Sequence, residues 1–238
     1  MPSLAHLVAS TAGVAEASID TRIGAGSDYA VFLNFVGIPI VDMRFEGPYA
    51  VYHSTFDTHA WVSRVDPGFR RHAQLTRIWA LLATRLANAD LLPLDHVRYA
   101  RRIGDFLADV ERRWGTPLEV ASSALARFDA AATRHAAAAR SLIDAGNGAM
   151  LELINRASME VEPSFIDPAG LMGRPWFRHQ LYAPAFTYQP EVLPGLAEAV
   201  DARDAMRVAE AERRLAEALD RAARCLKVFT TFGTPGAS

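Results

Sequence analysis

From about residue 59 onward, hydrophobic residues recur at steps of three and four positions, and this spacing predicts a series of amphipathic helices. The first, over residues 70–90, places these apolar residues on one side: Leu75, Ile78, Trp79, Leu82 and Leu86. The next begins at a predicted cap, Asp95, and stops at Gly115. Long helices joined by short connections predict an up-and-down bundle.

Three further helices are predicted from the same spacing. Pro117 opens a long alanine-rich helix that Gly146 closes. A shorter helix follows near residues 149–160, and a last one covers about 196–229. The pattern therefore predicts a mainly α fold.

The first 60 residues have a different pattern. A helix-like turn begins after a possible cap at Ser27 or Asp28 and ends at Gly37. Residues 38–45 and 50–53 are apolar runs that predict short strands. This part is therefore predicted to be a short mixed α/β portion that precedes the bundle.

Residues 162–195 interrupt the helical pattern and contain six of the thirteen prolines. A connection of 34 residues with little regular structure is uncommon in a compact bundle, and such loops are usually functional. Its many aromatic residues indicate that it packs against the protein. We expect it to reach back onto the N-terminal part.

Composition excludes several classes of function. The net charge is −2, and the arginines between residues 98 and 113 alternate with acidic residues, which argues against a nucleic-acid surface. No apolar run is long enough to predict a membrane span, and no signal peptide is recognisable. The single cysteine, Cys225, is predicted to be a packed thiol in a helix.

The residues alone give little evidence of chemistry. The sequence contains no HExxH, GxSxG, GxGxxG or P-loop motif, and its seven histidines are scattered. His135, on an alanine-rich face, is predicted to be a packed residue rather than a ligand. His53 follows a short predicted strand and precedes Ser54 and Asp57, so it is the candidate metal ligand.

Five segments carry a resemblance to a known family: GAGSDYAVFLNFVGIP, GPYAVYHSTFDT, FIDPAGL, RPWFRHQLYAP and LPG. In this order they resemble the C-terminal part of the glutamate carboxypeptidase II and transferrin receptor family, which contains dizinc peptidases and non-catalytic relatives. The resemblance runs from about Gly24 to Phe229. It implies that residues 1–90 are the remnant of a zinc-peptidase domain and that residues 91–238 are a transferrin receptor-like dimerisation bundle.

The resemblance also implies roles for individual residues. His53 corresponds to a ligand of one of two zinc ions, and Tyr52 corresponds to a catalytic tyrosine whose hydroxyl donates to the oxyanion of the tetrahedral intermediate. Ser27, Arg44 and Tyr188 correspond to residues that bind the peptide substrate. A planar guanidinium such as that of Arg44 suits a substrate carboxylate.

The sequence departs from the family pattern at several places. Asp42 and Thr187 stand where glutamate-specific members have an arginine and a lysine, so a neutral or basic substrate is expected. The other zinc ligands and the catalytic glutamate lie upstream of the GSD motif in the family, and residues 1–23 do not match them. We therefore expect no catalysis by this chain alone, and at most weak zinc binding.

Three interpretations remain open from the sequence. In the first, the chain is a piece of a zinc peptidase, either truncated or one half of a split enzyme that acts with an upstream peptidase fragment. In the second, it is a stand-alone dimerisation module without catalysis. In the third, it resembles the family only in structure and binds an unrelated ligand. The first is favoured because Arg44, Tyr52, His53 and Tyr188 occur together. The resemblance implies a homodimer formed through the bundle, while the sequence leaves the localisation open.

Overall fold

The computed structural model describes residues 22–45, 47–185 and 189–227. Within these ranges the chain forms two compact units. The smaller unit contains residues 41–45 and 47–89, and the helical unit contains residues 22–40, 90–185 and 189–227. The segment that carries the GSD motif therefore belongs to the helical unit.

The smaller unit is built on two helices, α2 (His59–Val65) and α3 (Arg70–Ala87). Its buried core consists of Ile78 and Leu82, against which Met43 packs. Asp66 caps α3: its carboxylate accepts hydrogen bonds from the backbone N–H groups of Arg71 and His72 and from Nδ1 of His72, 2.7 Å away. The His72 hydrogen bond is the largest of the effects that lower the pKa of Asp66 to about 2.

The helical unit begins with a short helix, α1 (Tyr29–Val31), which continues as a π-helical turn, Phe32–Val36. The bundle follows with these helices: α4 (His96–Trp114), α5 (Glu119–Asp144), α6 (Gly148–Met159), α7 (Pro194–Asp201) and α8 (Ala205–Cys225). Helix α5 packs against α4, α6 and α8, and α7 packs against α4 and α8. The predicted mainly α fold is confirmed.

Helix ends follow the predicted signals in several places. The Asp95 side chain accepts a hydrogen bond from the backbone N–H of Arg98 and so caps α4, while Gly115 adopts a left-handed conformation at its end. Asn147 caps α6 in the same way through the N–H of Met150. Each cap satisfies backbone groups that the first or last helical turn leaves unpaired.

The predicted single helix over residues 196–229 is wrong, because the chain breaks between α7 and α8. Arg203 has a positive φ of 55°, and Asp204 caps α8 by accepting hydrogen bonds from the N–H groups of Met206 and Arg207. Asp204 could have indicated this break in the sequence, because aspartate favours a helix cap over a helix interior.

The strands predicted for residues 38–45 and 50–53 are not formed in the described part of the chain. Two short strands lie instead in the long segment: β1 (Tyr182–Pro184) and β2 (Pro190–Val192). They pair antiparallel, with Tyr182 opposite Val192 and Pro184 opposite Pro190. A strand needs a neighbour for its backbone hydrogen bonds, so an apolar run alone did not decide its structure.

The long segment reaches back onto the N-terminal part, as predicted. It begins with a 3₁₀ turn, Glu162–Phe165, whose Phe165 is fully buried in the core. Trp176 contacts Phe35 edge to face, with ring centroids 5.2 Å apart. These contacts, made within the helical unit, fix residues 22–40 against the bundle.

Gly37 allows a close approach in this packing. Its φ is 72°, and a Cβ added there would lie 2.6 Å from Cα of Pro163. Gly146, at the end of α5, has a similar φ of 65° but no neighbouring atom within 4 Å of an added Cβ. The two glycines share a left-handed backbone and differ in the space around them.

We predict that Gly37→Ala destabilises the helical unit more than Gly146→Ala does. Each substitution carries the strain of a left-handed backbone, about 1 kcal/mol, but only Gly37→Ala adds a backbone clash, for a total of about 3 kcal/mol. Urea unfolding followed by circular dichroism measures both variants. Equal losses would show that Pro163 moves away without penalty.

Candidate functional site

Tyr52 and His53 occupy a tight turn rather than the end of a strand. The turn is closed by the backbone N–H of Ser54, which donates to the carbonyl of Val51 at 3.0 Å, and by the Ser54 hydroxyl, which donates to the same oxygen. His53 has a left-handed backbone with φ of 58°, and its ring stacks on that of Tyr52 with centroids 3.8 Å apart. Tyr52 is 65% exposed and His53 is exposed.

Both side chains are therefore accessible to a ligand. Neither the hydroxyl of Tyr52 nor the imidazole of His53 has a hydrogen-bond partner among the described residues. A packed, structural histidine would be buried and bonded, as His135 and His179 are. The turn thus presents a phenol and an imidazole side by side.

The other candidate residues are distributed over the chain. Arg44 is exposed in the smaller unit, next to Phe45, whose ring lies 5.6 Å from the guanidinium of Arg71. Ser27 is exposed in the helical unit, where its carbonyl accepts the N–H of Ala30 at the start of α1. Tyr188 lies outside the described residues. Arg44, Tyr52 and His53 thus belong to the smaller unit, where Tyr52 and His53 stack on each other, and Ser27 belongs to the helical unit.

Two residues that the sequence analysis missed hold the loop before Ser27. The hydroxyl of Tyr29 accepts from the N–H of Gly24 at 3.0 Å and donates to the carbonyl of Ala25 at 2.9 Å. The amide of Asn34, which is buried, donates to the carbonyl of Gly24 at 3.2 Å. Nothing in the sequence pattern indicated that these two side chains would hold the same loop.

The described residues do not complete a zinc site. Among them, no three histidine, cysteine, aspartate or glutamate side chains lie close enough together to hold a metal ion. A stable zinc site needs three or four protein ligands, and His53 provides one. The described residues therefore do not fit the dizinc group of the family by themselves.

Three other histidines, His96, His135 and His179, are buried in the helical unit. His96 and His135 lie with ring centroids 6.0 Å apart, and Nε2 of His135 is 2.8 Å from the hydroxyl of Ser158. Burial, followed by the nearby charge of His135, lowers the pKa of His96 to about 4. Burial also lowers the pKa of His135, which is a packed residue as predicted.

A partly buried arginine in the long segment was also missed. Arg174 donates from Nη1 to the carbonyl of Pro184 at the end of β1, and its Nη2 pairs with Glu198 of α7 and, at 3.5 Å, with Glu191 of β2. It therefore ties both strands of the small sheet to α7. Its position before a proline, in the RPW motif, gave no sign of this role.

Comparison with known proteins identifies the helical region. Residues 117–227, from the start of α5 to the end of α8, match the transferrin receptor-like dimerisation domain. This part of the chain belongs to that domain family. The dimerisation domain thus contains α5 to α8 together with the long segment and its small sheet.

Curated relatives extend the similarity beyond the dimerisation domain. The probable glutamate carboxypeptidase AMP1 of Arabidopsis thaliana is 32% identical over 214 residues, which are 84% of this chain and 30% of that protein. The aminopeptidase NAALADL1 of Mus musculus is 30% identical over 74% of this chain and 26% of its own length. An inactive zinc metalloprotease of Schizosaccharomyces pombe is 27% identical over 82% of this chain and 27% of its own length.

The predicted resemblance to the glutamate carboxypeptidase II and transferrin receptor family is confirmed. This chain spans about 30% of the length of AMP1, the first relative described. Its relatives are peptidase-like, and a dimerisation domain is present. In the described ranges, no helix combines the length and apolar character that crossing a membrane requires.

We predict that acid destabilises the helical unit through His96. Because the folded pKa of His96 is about 4 and the unfolded value is about 6.5, the unfolded chain binds the extra proton between these two pH values. Stability is therefore complete above pH 6.5 and falls as the pH drops towards 4. Between pH 7 and pH 5 the loss through His96 is about 2 kcal/mol.

Urea unfolding of the wild type, His96→Gln and His59→Gln at both pH values measures this loss. His96→Gln removes the titrating group, so its stability should change less with pH than that of the wild type. His59 is exposed, so His59→Gln should keep the wild-type pH dependence. An unchanged pH dependence in His96→Gln would contradict the prediction.

Proposed function

We propose that this chain is the dimerisation portion of a glutamate carboxypeptidase-like zinc metallopeptidase, forms a homodimer through its bundle and is not catalytic alone. In this proposal residues 1–90 are the end of the peptidase domain and residues 91–238 are the dimerisation bundle. His53 is one zinc ligand, Tyr52 donates to the oxyanion, and Ser27, Arg44 and Tyr188 bind the peptide substrate. The remaining zinc ligands come from an upstream peptidase portion.

The observation that carries this proposal is the exposed Tyr52–His53 turn in a chain whose relatives are peptidase-like and much longer. A phenol hydroxyl beside an imidazole can donate to an oxyanion and bind a metal ion, respectively. Both side chains are accessible, so His53 can bind a metal ion whose other ligands lie in another polypeptide segment, and Tyr52 can donate to a bound substrate.

Exposed apolar side chains of the smaller unit also support an upstream partner. Phe56 is 74% exposed, and Tyr49 and Val41 are about half exposed, while among the described residues of this unit the core buries Ile78 and Leu82. Exposed aromatic groups in such number favour an interaction surface. A peptidase portion that covers them would stabilise this unit.

The charge of the proposed pocket favours a substrate that is not acidic. Asp42 is exposed close to Arg44 in sequence and would repel a substrate carboxylate at this point. Peptides with a neutral or basic residue should therefore be cleaved in preference to those ending in glutamate. NAALADL1, named as an aminopeptidase, is a relative compatible with this choice.

A second candidate function is a dimerisation module without catalysis. It is favoured by the dimerisation domain itself and by the relative in Schizosaccharomyces pombe that is named an inactive zinc metalloprotease. The two functions predict the same assembly and differ in whether His53 binds zinc once a peptidase portion is present.

We predict that the chain is a two-fold dimer at micromolar concentrations, because dimers of identical chains use self-complementary surfaces. Analytical ultracentrifugation measures the mass across a dilution series. A monomer at tens of micromolar would contradict the homodimer and with it both candidate functions.

We predict that His53→Ala abolishes zinc-dependent hydrolysis in the assembled enzyme, whereas His59→Ala does not. The chain is co-expressed with the proposed upstream peptidase portion, and zinc content and peptide hydrolysis are measured. Loss of a ligand should lower activity by at least roughly 100-fold, and the exposed His59 should change it by less than about twofold.

Equal activity of His53→Ala and the wild type would exclude His53 as a ligand. Assembly with the peptidase portion but no zinc and no hydrolysis, even in the wild type, would favour the non-catalytic module. The chain alone should hydrolyse no peptide, and tight binding of two zinc ions to it would overturn the proposed division of ligands.

A further inference from the structure

A cavity of about 550 Å³ opens in the helical unit between residues 22–40 and helix α4. Its size is typical of sites for small organic molecules. The apolar side chains that line it come from both sides: Ile23, Leu33, Ile40 and Leu94. None of the candidate site residues lines this cavity, so it is separate from the proposed peptidase function.

A buried carboxylate, Glu162, lies in the wall of the cavity together with Tyr99 and Tyr182. The hydroxyl of Tyr99 donates to Oε1 of Glu162 at 3.0 Å, and Nε2 of His179 lies 3.0 Å from the same oxygen. Among the described residues, no group forms a hydrogen bond with the second oxygen, Oε2. One oxygen of the carboxylate is thus available to a molecule in the cavity.

His179 does not supply a balancing positive charge. Its Nδ1 accepts the backbone N–H of Leu181 at 3.1 Å, so the ring carries its proton on Nε2, which donates to Glu162. This bonding uses both nitrogens of a neutral imidazole. Among the described residues, no lysine or arginine pairs with Glu162, although a buried carboxylate is stabilised most by a cation.

The arginines at the mouth of the cavity have acidic neighbours. Arg102 pairs with Asp105 at 3.2 Å, and Arg98 lies 3.9 Å from Asp95. Arg101 is exposed, where solvent screens its charge. The mouth therefore carries three solvent-accessible arginines and two exposed aspartates, and Glu162 is the only buried charged side chain among the described residues that line the cavity.

We propose that this cavity binds a small apolar molecule that carries a primary ammonium group. The ammonium donates to Oε2 of Glu162, and the apolar part packs against Ile23, Leu33, Ile40 and Leu94. A charge-assisted hydrogen bond in a partly buried site is stronger than a neutral one, so the charge decides which molecules bind.

Isothermal titration calorimetry of the whole chain with phenethylamine and with 2-phenylethanol tests this proposal. The two probes share the phenyl ring and differ in the charged head group. Phenethylamine should bind at least about tenfold more tightly, because a hydrogen bond between charged groups replaces a neutral one. No binding of phenethylamine at millimolar concentrations, or equal affinity for both probes, would overturn the proposal.

Three variants connect the binding to the cavity. Glu162→Gln keeps the acceptor for Tyr99 and His179 but removes the charge, so it should weaken phenethylamine binding by about tenfold. Glu217→Gln, on the exposed surface of α8, is the matched control and should bind like the wild type. Leu94→Trp narrows the apolar part of the cavity and should weaken binding.

Circular dichroism of each variant establishes that it is folded before titration. If Glu162→Gln does not fold, the two probes and Leu94→Trp still decide the question. Binding that Leu94→Trp leaves unchanged, or that a folded Glu162→Gln leaves unchanged, would place the amine elsewhere and refute the assignment. None of these outcomes depends on zinc, on hydrolysis or on the dimer, so the proposed function is tested separately.

Discussion

A single buried carboxylate connects three parts of the helical unit. Glu162 lies in the 3₁₀ turn that opens the long segment, and it binds Tyr99 of α4 and His179 farther along the segment. A buried charge without hydrogen-bond donors is strongly unfavourable, so the turn, the helix and the segment must keep this arrangement together. The constraint explains how 34 residues with little regular structure keep a defined path.

The path of the long segment also determines how residues 22–40 pack against the bundle. Once the long segment is fixed, its backbone leaves room beside Pro163 and Tyr182 only for glycine, and Gly37 and Gly24 fill these positions. Ser27 therefore belongs to the compact unit that contains the dimerisation domain, whereas Tyr52 and His53 belong to the smaller unit. The residues that the family resemblance groups into one site are thus carried by two separately packed parts of the chain.

Helices and their ends could be predicted here because the signals are local. Asp95 and Gly115 act within one helical turn of their own positions. The strands predicted before residue 54 failed because a strand depends on a partner that the sequence pattern does not reveal. The roles of Glu162, His179 and Arg174 depend on contacts 10 to 63 residues away in sequence, and residue type alone gave no sign of them.

The backbone at His53 helps to separate a functional residue from a structural one. A left-handed conformation disfavours most residues other than glycine, and an exposed ring stacked on an exposed tyrosine buries little apolar surface. His53 therefore contributes little to folding compared with His179, which is fully buried and uses both of its nitrogens. An imidazole that folding does not need is available for a ligand, and this availability is the reason why the proposed function assigns His53 to a metal ion.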